Sequence, residues 1–229
     1  MSNNILEVNN LTVSFGDDKI LDNLSFVIKE KENLVVVGPN GAGKSVLLRA
    51  LLGILPYEGE VKWKPNIKIS YAPQKFFPPR EIPLSVEEFF DFKHSSQKDI
   101  KKWLEEVGLS EDILPKRLGN LSAGQFQRVM IAWSLIDNPD VLFFDEPTSG
   151  IDIEGEETIY NLLERIEKEI NLTIVIITHD LNIVYKFADN VLCLNKKAIC
   201  YGTPENALNA ESLKKLYGGS IKVYTHNHA

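Results

Sequence analysis

Apolar positions along the chain follow two periods, and the switches between them divide it. "ILEVNNLTVSF" and "LDNLSFVIK" alternate in part and predict strands near a sheet edge. "ENLVVVG" is a short continuous apolar run, as in a strand buried on both faces. "VLLRALLGIL" after it predicts a helix, and "EGEVKW" and "IKISYAPQ" return to strand character. The middle of the chain reads differently. "FFPPREIPLS" is Pro-rich and predicts loop. "IKKWLEEVGL" then puts Ile100, Trp103, Leu104 and Val107 on one helical face, and "GQFQRVMIAWSLI" predicts a second helix. Alternation of strand and helix then resumes. "VLFFDEP" is followed by a helix with Ile159, Leu162, Leu163, Ile166 and Ile170 on one face, then by "LTIVIITHD", "LNIVYKFA" and the strand "VLCLNKKAIC". Such alternation predicts an α/β fold with a mostly parallel sheet covered on both faces. An antiparallel β part precedes it, and a helical subdomain is inserted.

Composition narrows the class. The chain has 229 residues and is 44% hydrophobic, enough for one large domain with an insertion. Its net charge of −7 gives no basic face for a phosphate backbone, so nucleic acid is not an expected partner. Cys193 and Cys200 read as isolated thiols, which suits a reducing compartment. "MSNNILEVNN" has neither a basic nor a long apolar stretch and is expected not to be a secretory signal. The apolar runs are far shorter than the ~20 residues a membrane helix needs. A soluble chain is expected, able to dock on a membrane protein.

"GPNGAGKS", Gly38 to Ser45, matches G-x-x-x-x-G-K-[ST] between a buried strand and a helix, the context that motif needs. Its glycines let backbone N–H groups of Gly38, Asn40, Gly41, Ala42 and Gly43 turn toward phosphate oxygens, with Pro39 shaping the loop but having no N–H of its own and the dipole of the following helix behind them. Lys44 reaches the β- and γ-phosphates of a nucleotide, and Ser45 offers a hydroxyl to Mg²⁺. Asp145 ends the buried strand "VLFFD", where a carboxylate is costly without a cation. Glu146 beside it is a candidate base for an attacking water. His179 ends "LTIVIIT", and parallel sheets collect ligand-binding residues at the carboxyl ends of their strands.

Phe15, the Gly38–Ser45 loop, Gln74 in "YAPQ", "LSAGQ" at Leu121–Gln125, "VLFFDEP", "SGID" and His179 occur in one order. With them the chain resembles, over nearly its whole length, an ATP-binding cassette ATPase, a P-loop NTPase and the nucleotide-binding subunit of ABC transporters. The resemblance implies one domain over 1–229. Its α/β core would comprise 1–74 and 137–229, and its helical subdomain 75–136. It implies ATP and Mg²⁺, with Ser45, Gln74 and Asp145 at the metal, Glu146 as base and His179 as switch residue. Phe15 takes the position that stacks on adenine, though an aromatic in a strand also suits a core. Ser122, Ala123, Gly124 and Gln125 would cover the γ-phosphate held by a second copy packed head to tail, and Asp152 would link the two sites. Ser122 also suits a plain helix N-cap. Val46, Ala123 and Trp133 depart from the family's usual Thr, Gly and Arg.

The far end, "HDLNIVYKFADNVLCLNKKAICYGTPENAL", resembles the zinc- and manganese-uptake branch. That implies a bacterial importer powered at the cytoplasmic face of the membrane, with a permease subunit and, indirectly, an extracytoplasmic metal-binding protein. His226 and His228, in a tail expected to be mobile over 225–229, suit zinc, although a solvated tail without ligand explains them equally. Manganese or iron-chelate import remains open. So does a cassette acting in protein or iron–sulfur assembly. Action on ribosomes or DNA is disfavoured by the single cassette, the absence of a long coiled coil and the acidic charge.

Overall fold

The computed structural model describes residues 3–73, 82–146 and 153–218, the last with side chains from residue 159 onward. The chain divides into two compact units, 1–64 with 177–229, and 65–176.

In the first unit, β1 (Asn4–Phe15) and β2 (Asp18–Lys29) form an antiparallel pair. Alternation places Leu6, Val8, Leu11 and Val13 with Leu21, Leu24, Phe26 and Ile28 in the core, all at most 4% exposed. Asn10 and Asn23 take left-handed φ, 52° and 57°, where the pairing register shifts. Their backbone N–H groups donate to Ser25 Oγ and Thr12 Oγ1. Next come β3 (Leu34–Val37), buried at every position, α1 (Lys44–Leu51) and β4 (Glu58–Trp63), which pairs with the free side of β1. Trp63 Nε1 donates to Leu51 O, tying β4 to the end of α1.

The second unit begins with β5 (Ile69–Ala72). The helices α2 (Val86–Asp91), α3 (Gln97–Glu106) and α4 (Ala123–Leu135) follow, with two short 3₁₀ turns between the last two. The expected face of α3, Ile100, Trp103, Leu104 and Val107, is buried at 3% exposure or less. Phe89 of α2 stacks on Trp133 of α4 at 5.0 Å. Lys93 Nζ lies 4.2 Å over the same indole, whose N–H donates to Phe89 O. Trp133, half-buried, therefore packs its indole against α2 and under the Lys93 ammonium. β6 (Val141–Asp145) runs parallel to β5, with Ile69 opposite Val141 and Ala72 opposite Phe144. The unit continues with α5 (Ile153–Ile170) and most of β7 (Thr173–Thr178). Ile159, Leu162, Leu163 and Ile166 are buried, but Ile170, expected on the same face, is 36% exposed at the helix end.

The first unit resumes with α6 (Leu181–Phe187), β8 (Asn190–Asn195), β9 (Lys197–Gly202), α7 (Pro204–Ala207) and α8 (Ala210–Tyr217). β8 is parallel to β3, Leu34 opposite Asn190 and Val37 opposite Cys193. Two expectations fail here. "VLCLNKKAIC" is an antiparallel hairpin, because Lys196 adopts φ 59° and reverses the chain. The cysteines are not isolated: that hairpin sets Cys193 opposite Cys200, Cα atoms 4.9 Å apart, joined as a disulfide. β3 with β8 and β5 with β6 pair in parallel, and the antiparallel β1, β2 and β4 form the N-terminal part, as expected of the fold class. Among the described residues no helix is long and apolar enough to cross a membrane.

Candidate active site

The phosphate loop joins β3 to α1 inside the first unit. Its shape is imposed by what lies behind it. At position 38 a Cβ would run into Leu194 O, so only glycine fits. Gly43, the residue capping α1, has φ 95°, and a Cβ there would come within 2.7 Å of Leu21 Cδ2. Ala42 O accepts from Lys196 N at 3.1 Å, and Lys196 O in turn accepts from Asp22 N at 2.8 Å. The loop thus rests on the tip of the β8–β9 hairpin, which β2 braces. Beside that brace, ion pairs with Lys197 first and then Lys19 hold the Asp22 carboxyl below the usual carboxylate range. Lys44, 7% exposed, curls back over the loop and donates to Gly38 O at 2.7 Å and Pro39 O at 3.0 Å. Two carbonyls thereby hold the ammonium at the loop. Asn40 and Gly41 are exposed, and Ser45 and Val46 half-buried.

His179 follows β7 in the same unit and is exposed. Its neighbour Asp180 caps α6, accepting from Asn182 N at 2.8 Å, while Asp180 N donates to Thr178 Oγ1. The backbone is therefore fixed on both sides of His179. Phe15, at the end of β1, is 50% exposed and is not a core residue.

In the second unit, β6 ends at Asp145, 5% exposed, followed by the half-buried Glu146. Glu146 has φ 46°, a left-handed conformation costly for a non-glycine residue, and such strain gathers at functional sites. "LSAGQ" forms the start of α4. Ser122 Oγ accepts from Gln125 N at 3.2 Å, and Gln125 Oε1 accepts from Ser122 N at 3.1 Å, a reciprocal capping box. Ser122 is exposed, and a Cβ at Gly124 would meet nothing within 4 Å. Glycine at 124 is therefore not demanded by packing against the described residues of this chain.

The first unit holds the phosphate loop with Phe15 and His179, and the second holds Asp145, Glu146 and Ser122–Gln125. Gln74, Asp152, the start of the Pro-rich segment and the tail with His226 and His228 lie outside the described residues. Sequence reasoning missed the backing of the loop by Leu194 and Lys196. Those contacts are made by backbone atoms, which leave no residue-type signal.

The model of the ABC transporter family matches residues 21–149. The zinc import ATP-binding protein ZnuC of Wigglesworthia glossinidia brevipalpis is 39% identical over 98% of this chain and 99% of its own length. That of Rickettsia prowazekii is 38% identical over 100% and 98%. Among solved structures, MJ1267, an ATP-binding cassette of an ABC transporter in its ADP conformation, superposes with a TM-score of 0.80. It is 25% identical and covers 95% of this chain and 99% of its own. CbiO1 of Clostridium perfringens, part of the transporter complex cbiONQ, gives a TM-score of 0.77 at 29% identity, covering 93% and 94%. By family match, near-full-length relatives and shared fold, the chain belongs to the ABC transporter family, as one of its ATP-binding, ATP-hydrolysing subunits.

Proposed function

We propose that this subunit powers uptake of a divalent metal ion, zinc in the first place, by hydrolysing ATP at the cytoplasmic face of the membrane. Its partners in this reading are a second copy of itself and a membrane permease, with an extracytoplasmic metal-binding protein delivering the ion. The observation that carries the ATP-driven part is the phosphate loop, seated between a fully buried strand and α1 with Lys44 held at it. Zinc rests on the near-full-length likeness to the zinc import proteins.

In this reading Phe15 stacks on the adenine, and the amides of the loop with Lys44 bind the phosphates. Mg²⁺ accompanies the nucleotide. The donors offered to it, the Ser45 hydroxyl and the Asp145 carboxylate at the end of β6, are both oxygens, which suits a hard cation. Gln74 would add a third. Once bound, the ion neutralises charge on the β- and γ-phosphates. Glu146 accepts the proton of the attacking water, and His179 orients the γ-phosphate. The exposed start of α4, with Ser122 and the unobstructed Gly124, covers the γ-phosphate of the partner copy. Asp152 links the two sites.

The test is zinc uptake in membrane vesicles holding the chain together with its permease. ATP-dependent accumulation of zinc is expected with the native chain and none with Lys44→Ala. Accumulation of manganese alone would overturn zinc. ATP hydrolysis without movement of any metal would overturn the transport reading.

A further inference from the structure

The disulfide lies where it bears on nucleotide binding. Cys193 stands opposite Val37 in the parallel register of β3 and β8, and Val37 immediately precedes Gly38. On its other side Cys193 is bonded to Cys200 across β8 and β9. The segment between the two sulfurs is the hairpin tip that backs the phosphate loop. Leu194 O occupies the space of a Cβ at Gly38, and Lys196 N donates to Ala42 O. Global stability is a poor reason for such a bridge. It spans only seven positions, and bridges closing short loops constrain the unfolded chain least. β8 and β9 are in any case already paired. Reach is also asymmetric: Cys193 is fully buried, whereas Cys200 is half-exposed on β9.

We propose that Cys193 and Cys200 form a thiol–disulfide switch beneath the phosphate loop: the disulfide holds the hairpin tip against the loop and favours ATP, and the dithiol loosens that support. The oxidant is a low-molecular-weight disulfide, RSSR. The Cys200 thiolate attacks one of its sulfurs, giving a mixed disulfide and releasing RS⁻, which takes up the proton Cys200 lost. Cys193, as thiolate, then attacks the Cys200 sulfur, and a second RS⁻ leaves and takes up the proton from Cys193. Two protein thiols are oxidised by two electrons and RSSR is reduced to two RSH. Excess RSH drives the same steps backward. Cys200 is the entry point because it is the one solvent reaches, and Cys193, opposite it in the register, resolves the mixed disulfide.

The inference rests on the phosphate loop holding ATP, and the experiment separates the two. The full chain is equilibrated in glutathione buffers from reducing to oxidising. Free thiols are counted by alkylation and mass, and the Kd for ATP with Mg²⁺ is measured in each buffer. Both thiols are expected to disappear together, with ATP bound at least about fivefold tighter in the oxidised form, the lower end of usual coupling between sites. Cys200→Ser is expected to keep the reduced-form affinity in every buffer. Equal affinity of the two forms would overturn the switch while leaving the ATP site standing. So would a bond that survives the most reducing buffer, or a Cys200→Ser chain that still follows the buffer. ATP bound by neither form would overturn the phosphate-loop assignment itself.

Discussion

Lys44 is buried, and its ammonium donates to the carbonyls of Gly38 and Pro39. A neutral carbonyl is a weaker partner for an ammonium than an anion is. Phosphate oxygens are such an anion, so ATP binding should exchange two neutral acceptors for charged ones. A charge-assisted hydrogen bond contributes about 1.5–3 kcal/mol, so Lys44→Ala should weaken ATP binding by roughly 10- to 100-fold. Titration calorimetry with Mg²⁺ present checks this, and unchanged affinity would remove Lys44 from the site. The residue scale is also where the sequence was most legible. Gly38, Gly43 and Lys44 sit in a motif whose spacing has one mechanical meaning. The structure supplies a separate reason for each glycine, the Leu194 carbonyl behind one and the left-handed φ of the other.

Elements were legible where periodicity was long and opaque where one residue made the turn. β3, β6 and β7 are continuous apolar runs, and α3 and α5 carry clear helical faces. The β8–β9 hairpin was missed because the left-handed residue of its reversal is Lys196 rather than a Gly or Asn, and Asn195 beside it is a weak signal by itself. That error hid the disulfide, since a single extended strand would place the two cysteines far apart. The short helix α2 was missed for a different reason. The Pro-rich stretch before it reads as loop, but Ser85-Val-Glu-Glu88 carries the S-x-x-E signature of a helix start. The box is formed: Ser85 Oγ accepts from Glu88 N at 3.2 Å, and Glu88 Oε2 accepts from Ser85 N at 2.8 Å. The Ser85 backbone N–H first, and then its hydroxyl, donate to the Glu88 carboxylate and hold that carboxyl below its ordinary range. A six-residue helix has little propensity of its own and depends on its cap and on Phe89 and Phe90. Ser85→Ala should therefore lower stability by about 1 kcal/mol, seen as a shift of the urea midpoint at unchanged slope. A midpoint that does not move would mean that packing of Phe89 on Trp133 alone secures the helix.

At the scale of the whole molecule, the start of α4 is satisfied within its own chain and still presents donors outward. The capping box uses the Ser122 side chain and the Gln125 backbone N–H, Ser122 remains exposed, and Gly124 faces open space. In the proposed dimer the bound ATP of a second copy comes up against this surface. The prediction follows from making that ATP long-lived. Glu146→Gln keeps the shape of the side chain but removes its ability to take a proton from water. General-base catalysis contributes about 10²–10⁴-fold, and hydrolysis should fall by that order. Lys44, Ser45 and the loop amides remain, so ATP still binds. The amide also relieves repulsion between the carboxylate and the γ-phosphate. Trapped ATP then bridges two chains. Light scattering at high protein concentration should report a dimer for Glu146→Gln with ATP and Mg²⁺, and monomer without nucleotide. Ser122→Arg added to it should restore monomer, because a long side chain at the exposed cap blocks the approach of the partner's phosphate loop. The cap itself should weaken by only about 1 kcal/mol, too little to unfold the chain. Circular dichroism of the double variant checks that the fold persists. A folded double variant that dimerises with ATP as readily as Glu146→Gln would show that the start of α4 does not close over a partner's nucleotide.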